Sequence, residues 1–405
     1  MTSHLHGTAN CPLALEACIP AEAAITAAPA SAALTSRLPS LDGWRALSIL
    51  IVLGEHNIHT KAFPQEHHHL FTQLFDGQLG VRFFFVISGF LITWLMLGEE
   101  YRSGTVNLKN FYARRALRIL PVYLVFLGVL AALQAFTPFH QSASTWLGNL
   151  TFTRNFFYDH FTSNHLWSLS VEEQFYIVWP ALFIYVKPQA SLKKCLALVV
   201  TAIVLAMSVR YLFSLWDSAS IDKMNRMLRA VIGPWSFFSN ADTLAIGSVL
   251  AVLMARRREL LSEFLSTRPL LVPACGLFLL FTPVLLHLEI LQITPNFAHL
   301  CQQMDAVTGR TLQSLGFALL MMQSVVVPRL PIYRTLNLRP VMQLGVLSYS
   351  IYIWQQLFCS KPENYGIPDA WWNTYPLWLA PALLVAVVSY YGLERPLLNL
   401  RHRFR

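Results

Sequence analysis

Arg45 and His56 bracket an apolar, helix-forming run, Leu41-Asp42-Gly43-Trp44-Arg45-Ala46-Leu47-Ser48-Ile49-Leu50-Ile51-Val52-Leu53-Gly54-Glu55-His56-Asn57. An imidazole can exchange a proton near neutrality and a guanidinium can hold an anion, so the pair can serve proton transfer and anion binding. At about 100° per residue their separation comes to roughly three turns plus about 20°, which places both side chains on one helix face, roughly 16 Å apart along the axis. That distance is about half the hydrocarbon thickness of a bilayer. With Arg45 near one interface, His56 lies well inside, and ionisable groups at such depth usually mark a functional path.

Three further stretches carry candidate chemistry. Phe111-Tyr112-Ala113-Arg114-Arg115-Ala116-Leu117-Arg118 holds a cationic cluster in which Arg115 and Arg118 are neighbours on a helix, suited to bidentate phosphate binding. The same residues also read as a cytoplasmic anchor bonding lipid phosphates. In His165-Leu166-Trp167-Ser168-Leu169-Ser170-Val171-Glu172-Glu173-Gln174-Phe175-Tyr176, Ser170 with Glu173 fits a capping box and Trp167 an interfacial aromatic belt. Glu172 is left free to orient or charge-balance His56, as carboxylates do for catalytic imidazoles. Ser88-Gly89, among aromatics, permits close helix approach, and Asp242, a carboxylate inside an apolar run, is a site candidate by the cost of its burial alone. The adjacent His67, His68 and His69 cannot all converge on one ion, so no metal is expected.

The elements that must carry these residues follow from composition. The 405 residues are 55% hydrophobic and 13% charged, with a mean hydropathy of +0.46, which excludes a soluble globule and predicts an all-α, polytopic integral membrane bundle. About ten apolar segments are long enough to span, near 42–60, 79–98, 119–137, 168–187, 195–215, 231–254, 270–288, 309–327, 341–359 and 375–394. Lys and Arg concentrate in every second loop, apart from a mixed segment around Asp222 and Lys223, so both termini are expected to be cytoplasmic. The net charge of +9 is thereby explained by topology, and nucleic acid is not an expected partner. Residues 1–36 read as a disordered cytoplasmic tail, 37–400 as the membrane domain and 401–405 as a basic cytoplasmic end. The six cysteines have no metal-like spacing and read as core residues. No Gly-x-Ser-x-Gly elbow, phosphate-cradling Gly-rich loop or His-Glu-x-x-His occurs, which removes support for serine hydrolase, nucleotide-driven pump and zinc protease readings.

Taken together, the motifs resemble the acyltransferase-3 family of multi-pass membrane acyltransferases. The matching pieces are Asp42-Gly43 with Arg45 and His56, Phe83 to Leu91, Phe111-Tyr112 with Arg114, Arg115, Arg118 and Pro121, Trp167 to Tyr176, Ser348 to Trp354, and Glu394-Arg395-Pro396, in the family's order. The resemblance implies an enzyme of the inner (cytoplasmic) membrane. It would move an acyl group, usually acetyl, from cytoplasmic acyl-CoA to a hydroxyl of a cell-surface or lipid-linked glycan, with acyl-CoA as donor substrate and no metal. It also implies His56 as the essential histidine, Arg45 as its partner and Arg115 with Arg118 as the arginine pair. The chain departs at Trp354-Gln355-Gln356, where many relatives have Trp-His-Gln. It also ends soon after the tenth apolar run, without the extracytoplasmic hydrolase-like domain of some relatives, which leaves room for a separate extracytoplasmic partner. His56 would act as general base on the acceptor or as a transient acyl carrier, with Glu172 holding its tautomer. Two other readings stay open: O-acylation of a small-molecule, macrolide-type sugar, and a secondary transporter or flippase that uses the same intramembrane charges.

Overall fold

The computed structural model describes residues 38–157, 161–188, 191–216, 226–286, 294–366 and 371–400. The tail expected over 1–36, the basic end 401–405, Cys11, Cys18, Asp222 and Lys223 lie outside the described residues. Among those described the chain is helical, with no strand beyond a single bridge between Lys61 and Thr374.

The helices that overlap the expected apolar runs are α1 (Leu41–His56), α2 (Gly77–Ser103), α3 (Leu108–Phe136), α4 (Leu166–Val186), α5 (Leu192–Ser214), α6 (Phe237–Arg256), α7 (Leu271–Leu286), α8 (Arg310–Val326), α9 (Arg339–Cys359) and α10 (Leu379–Ser389). By length and apolar composition alone, four described segments can cross a membrane, or six if two sharply bent helix pairs each count as one span. The count of ten rested on runs that include α1 and α10, which are 16 and 11 residues long. Membrane contact is written on the outer faces: Ile177 and Tyr185 of α4, Val200 and Val204 of α5, and Leu384 and Val388 of α10 are all exposed. A soluble chain would not present so many large apolar side chains to water.

Local chemistry sets the helix ends. Asn107 opens α3 by accepting from the Asn110 amide at 3.1 Å, and Ser236 opens α6 by accepting from Ser239 at 3.0 Å. Gly104, at φ 74°, closes α2 in the left-handed conformation that glycine adopts without strain.

The helix that carries Arg45 and His56 is pinned at both ends. At its start the Ser40 amide donates to Asn337 (2.8 Å), the Ser40 hydroxyl to the Ser324 carbonyl (3.0 Å) and the Trp44 indole to the Ser324 hydroxyl (2.8 Å). At its end the Trp378 indole donates to Asn57 at 2.9 Å. These bonds contribute on the order of 1 kcal/mol each and fix the depth and rotation of α1. Its flank is held by the Phe83–Phe317 stack, whose ring centres are 3.9 Å apart.

Helices α2 and α6 cross in backbone contact. A Cβ on Gly89 would lie 2.0 Å from the Leu244 carbonyl oxygen, and one on Gly247 would lie 2.0 Å from that of Val86. Small residues here permit backbone contact, which agrees with the packing role read from Ser88-Gly89. Gly247→Val is expected to destabilise the protein by at least about 2 kcal/mol, because the obstacle is backbone that cannot rotate away. The check is the thermal unfolding midpoint of the purified protein in detergent; an unchanged midpoint would contradict the crossing.

Candidate active site

Helices α1, α3, α4 and α9 bring two groups of polar side chains inside the bundle, one toward each end of α1.

The first group is built around arginines. Arg45, 14% exposed, has Asp42 at 3.9 Å on its own helix and Glu172, Tyr176 and Glu394 within electrostatic reach. Arg118 lies near Arg45, Arg115, Tyr176 and Glu394. The Arg115 guanidinium sits over the Tyr176 ring, 4.1 Å from its centre, a favourable cation–π position. Glu172 accepts from the Ser88 hydroxyl at 2.7 Å and from the Tyr176 hydroxyl at 3.5 Å, and it faces Arg115, Arg45 and Arg118. Glu394, buried in the π-helical turn after α10, accepts from the Ser350 hydroxyl of α9. Glu173 also lies beside Arg115. Three guanidinium groups thus meet four carboxylates, which is how charges inside a bundle remain tolerable.

The second group surrounds His56. The His59 ring centre is 6.0 Å from that of His56, and the Gln355 amide of α9 lies within interaction distance. His165, which precedes α4, lies within electrostatic range of His56. The Nδ1 atom of His56 and the Oε1 atom of Gln355 are buried without a hydrogen-bond partner. The loop beyond is tied to α9 by Tyr365, which donates to the Gln356 carbonyl at 3.1 Å. Burial pushes its phenol well above the ordinary range, so this donor stays protonated.

Several sequence expectations change here. Glu172 is not placed against His56. It lies six residues into α4, roughly 9 Å along the axis from the helix start by the rise per residue, at the level of Ser88 and the arginines rather than at the end of α1. The capping box is replaced as well: α4 begins at Leu166, so Ser170 is interior and its hydroxyl donates to the Leu166 carbonyl at 3.0 Å. Glu173 is thereby released from capping, and its Oε1 atom is buried without a partner. Arg114 separates from Arg115 and Arg118 by pairing with Glu99 of α2 at 2.5 Å, because the short connection after α2 brings that carboxylate beside the first turn of α3.

Asp242 has a structural set of partners. Arg210 donates to it at 2.6 Å, the Thr311 hydroxyl at 2.5 Å and the Thr243 amide at 2.9 Å, and Arg210 also donates to the Ser239 carbonyl. Such a satisfied buried pair joins α5, α6 and α8. His67, His68 and His69 lie on an exposed short helical segment, and the described residues contain no group of three or more side chains placed to hold a metal. Cys195, Cys301 and Cys359 are buried thiols, while Cys275 is exposed.

Tyr176, His165 and Glu394 are site residues to which the sequence reading gave no role, whereas Gln355 was marked there as the departure from Trp-His-Gln. The available signal was strongest for Glu394, an ionisable group at the end of the last apolar run.

Comparison with known proteins bears on this arrangement. A family model described as an acyltransferase domain matches residues 38–395. A Bacillus subtilis protein provisionally named a peptidoglycan O-acetyltransferase is 26% identical over 386 residues, 89% of this chain and 55% of the relative. An O-acetyltransferase of Staphylococcus aureus is 25% identical over 387 residues, 89% of this chain and 57% of the relative. A peptidoglycan O-acetyltransferase of Listeria monocytogenes is 31% identical over 183 residues, 40% of this chain and 27% of the relative. The chain spans little more than half the length of the first two relatives. No solved structure matches it.

Proposed function

We propose, because the chain belongs to the acyltransferase-3 family, that it is a multi-pass membrane O-acyltransferase which moves an acetyl group from cytoplasmic acyl-CoA to a hydroxyl of a cell-wall glycan. The glycan is suggested by relatives named for peptidoglycan O-acetylation. In this reading the protein lies in the inner membrane with about ten spans and both termini cytoplasmic.

The observation that carries the reading is the layout of α1. One rigid helix, held at both ends, presents Arg45 among Arg115 and Arg118 and presents His56 with an unpartnered Nδ1 toward its other end. Donor phosphates dock at Arg115 and Arg118, and the thioester at the end of the pantetheine arm reaches His56. His56 removes the proton of the acceptor hydroxyl, or carries the acyl group in transit; either role uses a neutral imidazole nitrogen free to accept. Glu172 holds Arg115 and Arg45 in orientation. Acyl transfer conserves atoms simply: the thioester C–S bond breaks, the C–O bond to the acceptor forms, and the hydroxyl proton ends on the departing thiol.

Arg115→Ala tests donor docking. The KM for acetyl-CoA is expected to rise at least about tenfold, as for loss of one charge-assisted phosphate contact. An unchanged KM, measured as thiol release by the purified protein, would remove Arg115 from the donor site.

A further inference from the structure

His165 is 6% exposed; the Ile353 backbone lies beside its ring, but neither ring nitrogen has a partner of good hydrogen-bond geometry. A buried imidazole with both nitrogens unsatisfied is costly, and native structures rarely keep one without a reason. Its backbone, by contrast, is held firmly. The Tyr352 hydroxyl donates to the His165 carbonyl at 2.8 Å, the Ser168 hydroxyl donates to the same carbonyl at 3.2 Å, and those two hydroxyls are 2.5 Å apart. The ring is packed edge-on against Phe126 and Tyr352, with centres 5.5 Å apart in each case.

Helix α9 relates this ring to His56. Tyr352, which touches His165, and Gln355, which lies beside His56, are three residues apart and therefore neighbours on one face of α9. Two imidazoles within electrostatic range of each other, and the Gln355 amide beside His56, come from three elements and each carry an unpartnered polar atom. Lone pairs and N–H groups so arranged fit a small neutral group that both donates and accepts hydrogen bonds, such as an alcohol.

We propose that the acceptor hydroxyl is received between His56 and His165, with a His165 N–H donating to the hydroxyl oxygen while the hydroxyl proton points to His56. This rests on the acyltransferase reading above and makes His165 an acceptor-binding residue. In the transfer the hydroxyl oxygen forms the new bond to the acyl carbon, the thioester C–S bond breaks, and the proton passes to His56 and then to the thiolate. His165 keeps its own proton throughout and orients the oxygen lone pair toward the acyl carbon, the kind of alignment on which transfer rates depend strongly.

The test is steady-state acetyl transfer by the purified full chain, with acetyl-CoA as donor and a peptidoglycan-derived disaccharide as acceptor, for wild type, His165→Ala and His165→Asn. The expected result is an acceptor KM raised at least tenfold in His165→Ala while the acetyl-CoA KM stays within twofold. Substantial recovery is expected in His165→Asn, whose amide retains an N–H donor. Thermal unfolding of each variant accompanies the kinetics. An acceptor KM equal to wild type in His165→Ala would overturn the proposal. So would equal loss in both variants together with a lowered unfolding midpoint, because a histidine that merely braces the Ile353 backbone beside it would behave that way. If wild type itself transfers no acetyl group, the acyltransferase reading fails first and this inference falls with it; active wild type confines any failure to His165.

Discussion

His56→Ala is expected to lower the turnover number for acyl transfer by about a hundredfold to ten-thousandfold, the range associated with removing a positioned general base. Each tenfold corresponds to about 1.4 kcal/mol of transition-state stabilisation. Binding of acetyl-CoA should survive, because the arginines that would receive its phosphates lie toward the other end of α1. The fold should survive too: His56 makes no hydrogen bond through Nδ1, and the end of α1 is held by Asn57 and Trp378. The measurement is thiol release together with acetyl-CoA binding on the same preparation. Loss of both at once would point to a collapsed helix end, and retained turnover would remove His56 from the chemistry.

The second large effect is expected at Glu172. Glu172→Ala leaves Arg115 and Arg45 short of a carboxylate and leaves the Ser88 and Tyr176 hydroxyls without their acceptor. Breaking a buried charge arrangement from one side costs about 3–5 kcal/mol, so the variant should be both destabilised and poor in donor binding. Glu172→Gln keeps an oxygen for Ser88 and Tyr176 while it removes the charge. It should fold normally yet show kcat/KM for acetyl-CoA reduced about tenfold to a hundredfold, mostly through KM, because the arginines are no longer oriented. A carboxylate that acted on His56 would give another pattern: a displaced pH profile of turnover with an unchanged donor KM. That pattern would return Glu172 to the role its sequence position suggested.

The difference between those two roles shows where sequence reasoning runs out. The spacing of Arg45 and His56 fixes their relation because both lie on one helix, and helix geometry is local. The apolar runs likewise foretold the positions of the helices. Glu172 is 84 residues from its hydrogen-bond partner Ser88, and Ser350 is 44 from Glu394; no periodicity within a helix says which helices meet. The capping-box reading failed for a local reason, since the Ser-x-x-Glu pattern also occurs inside a helix whose start is set upstream at Leu166. Asp242 was correctly flagged as costly, yet its cost is met by Arg210 and Thr311 from two other helices. His165 was hidden because a histidine beside an aromatic cluster looks like packing until its nitrogens are seen to lack partners.

Acyl transfer from acyl-CoA to a glycan hydroxyl at the α1 site, as proposed, requires thiol release and product formation to be linked. The most direct measurement follows free thiol and acetylated product together when purified protein is given acetyl-CoA, with and without a peptidoglycan-derived disaccharide. The expected result is acceptor-dependent thiol release with one acetylated sugar formed per thiol. Absence of both products while acetyl-CoA binds, or passage of the sugar across a proteoliposome membrane without acetylation, would contradict it and favour transport.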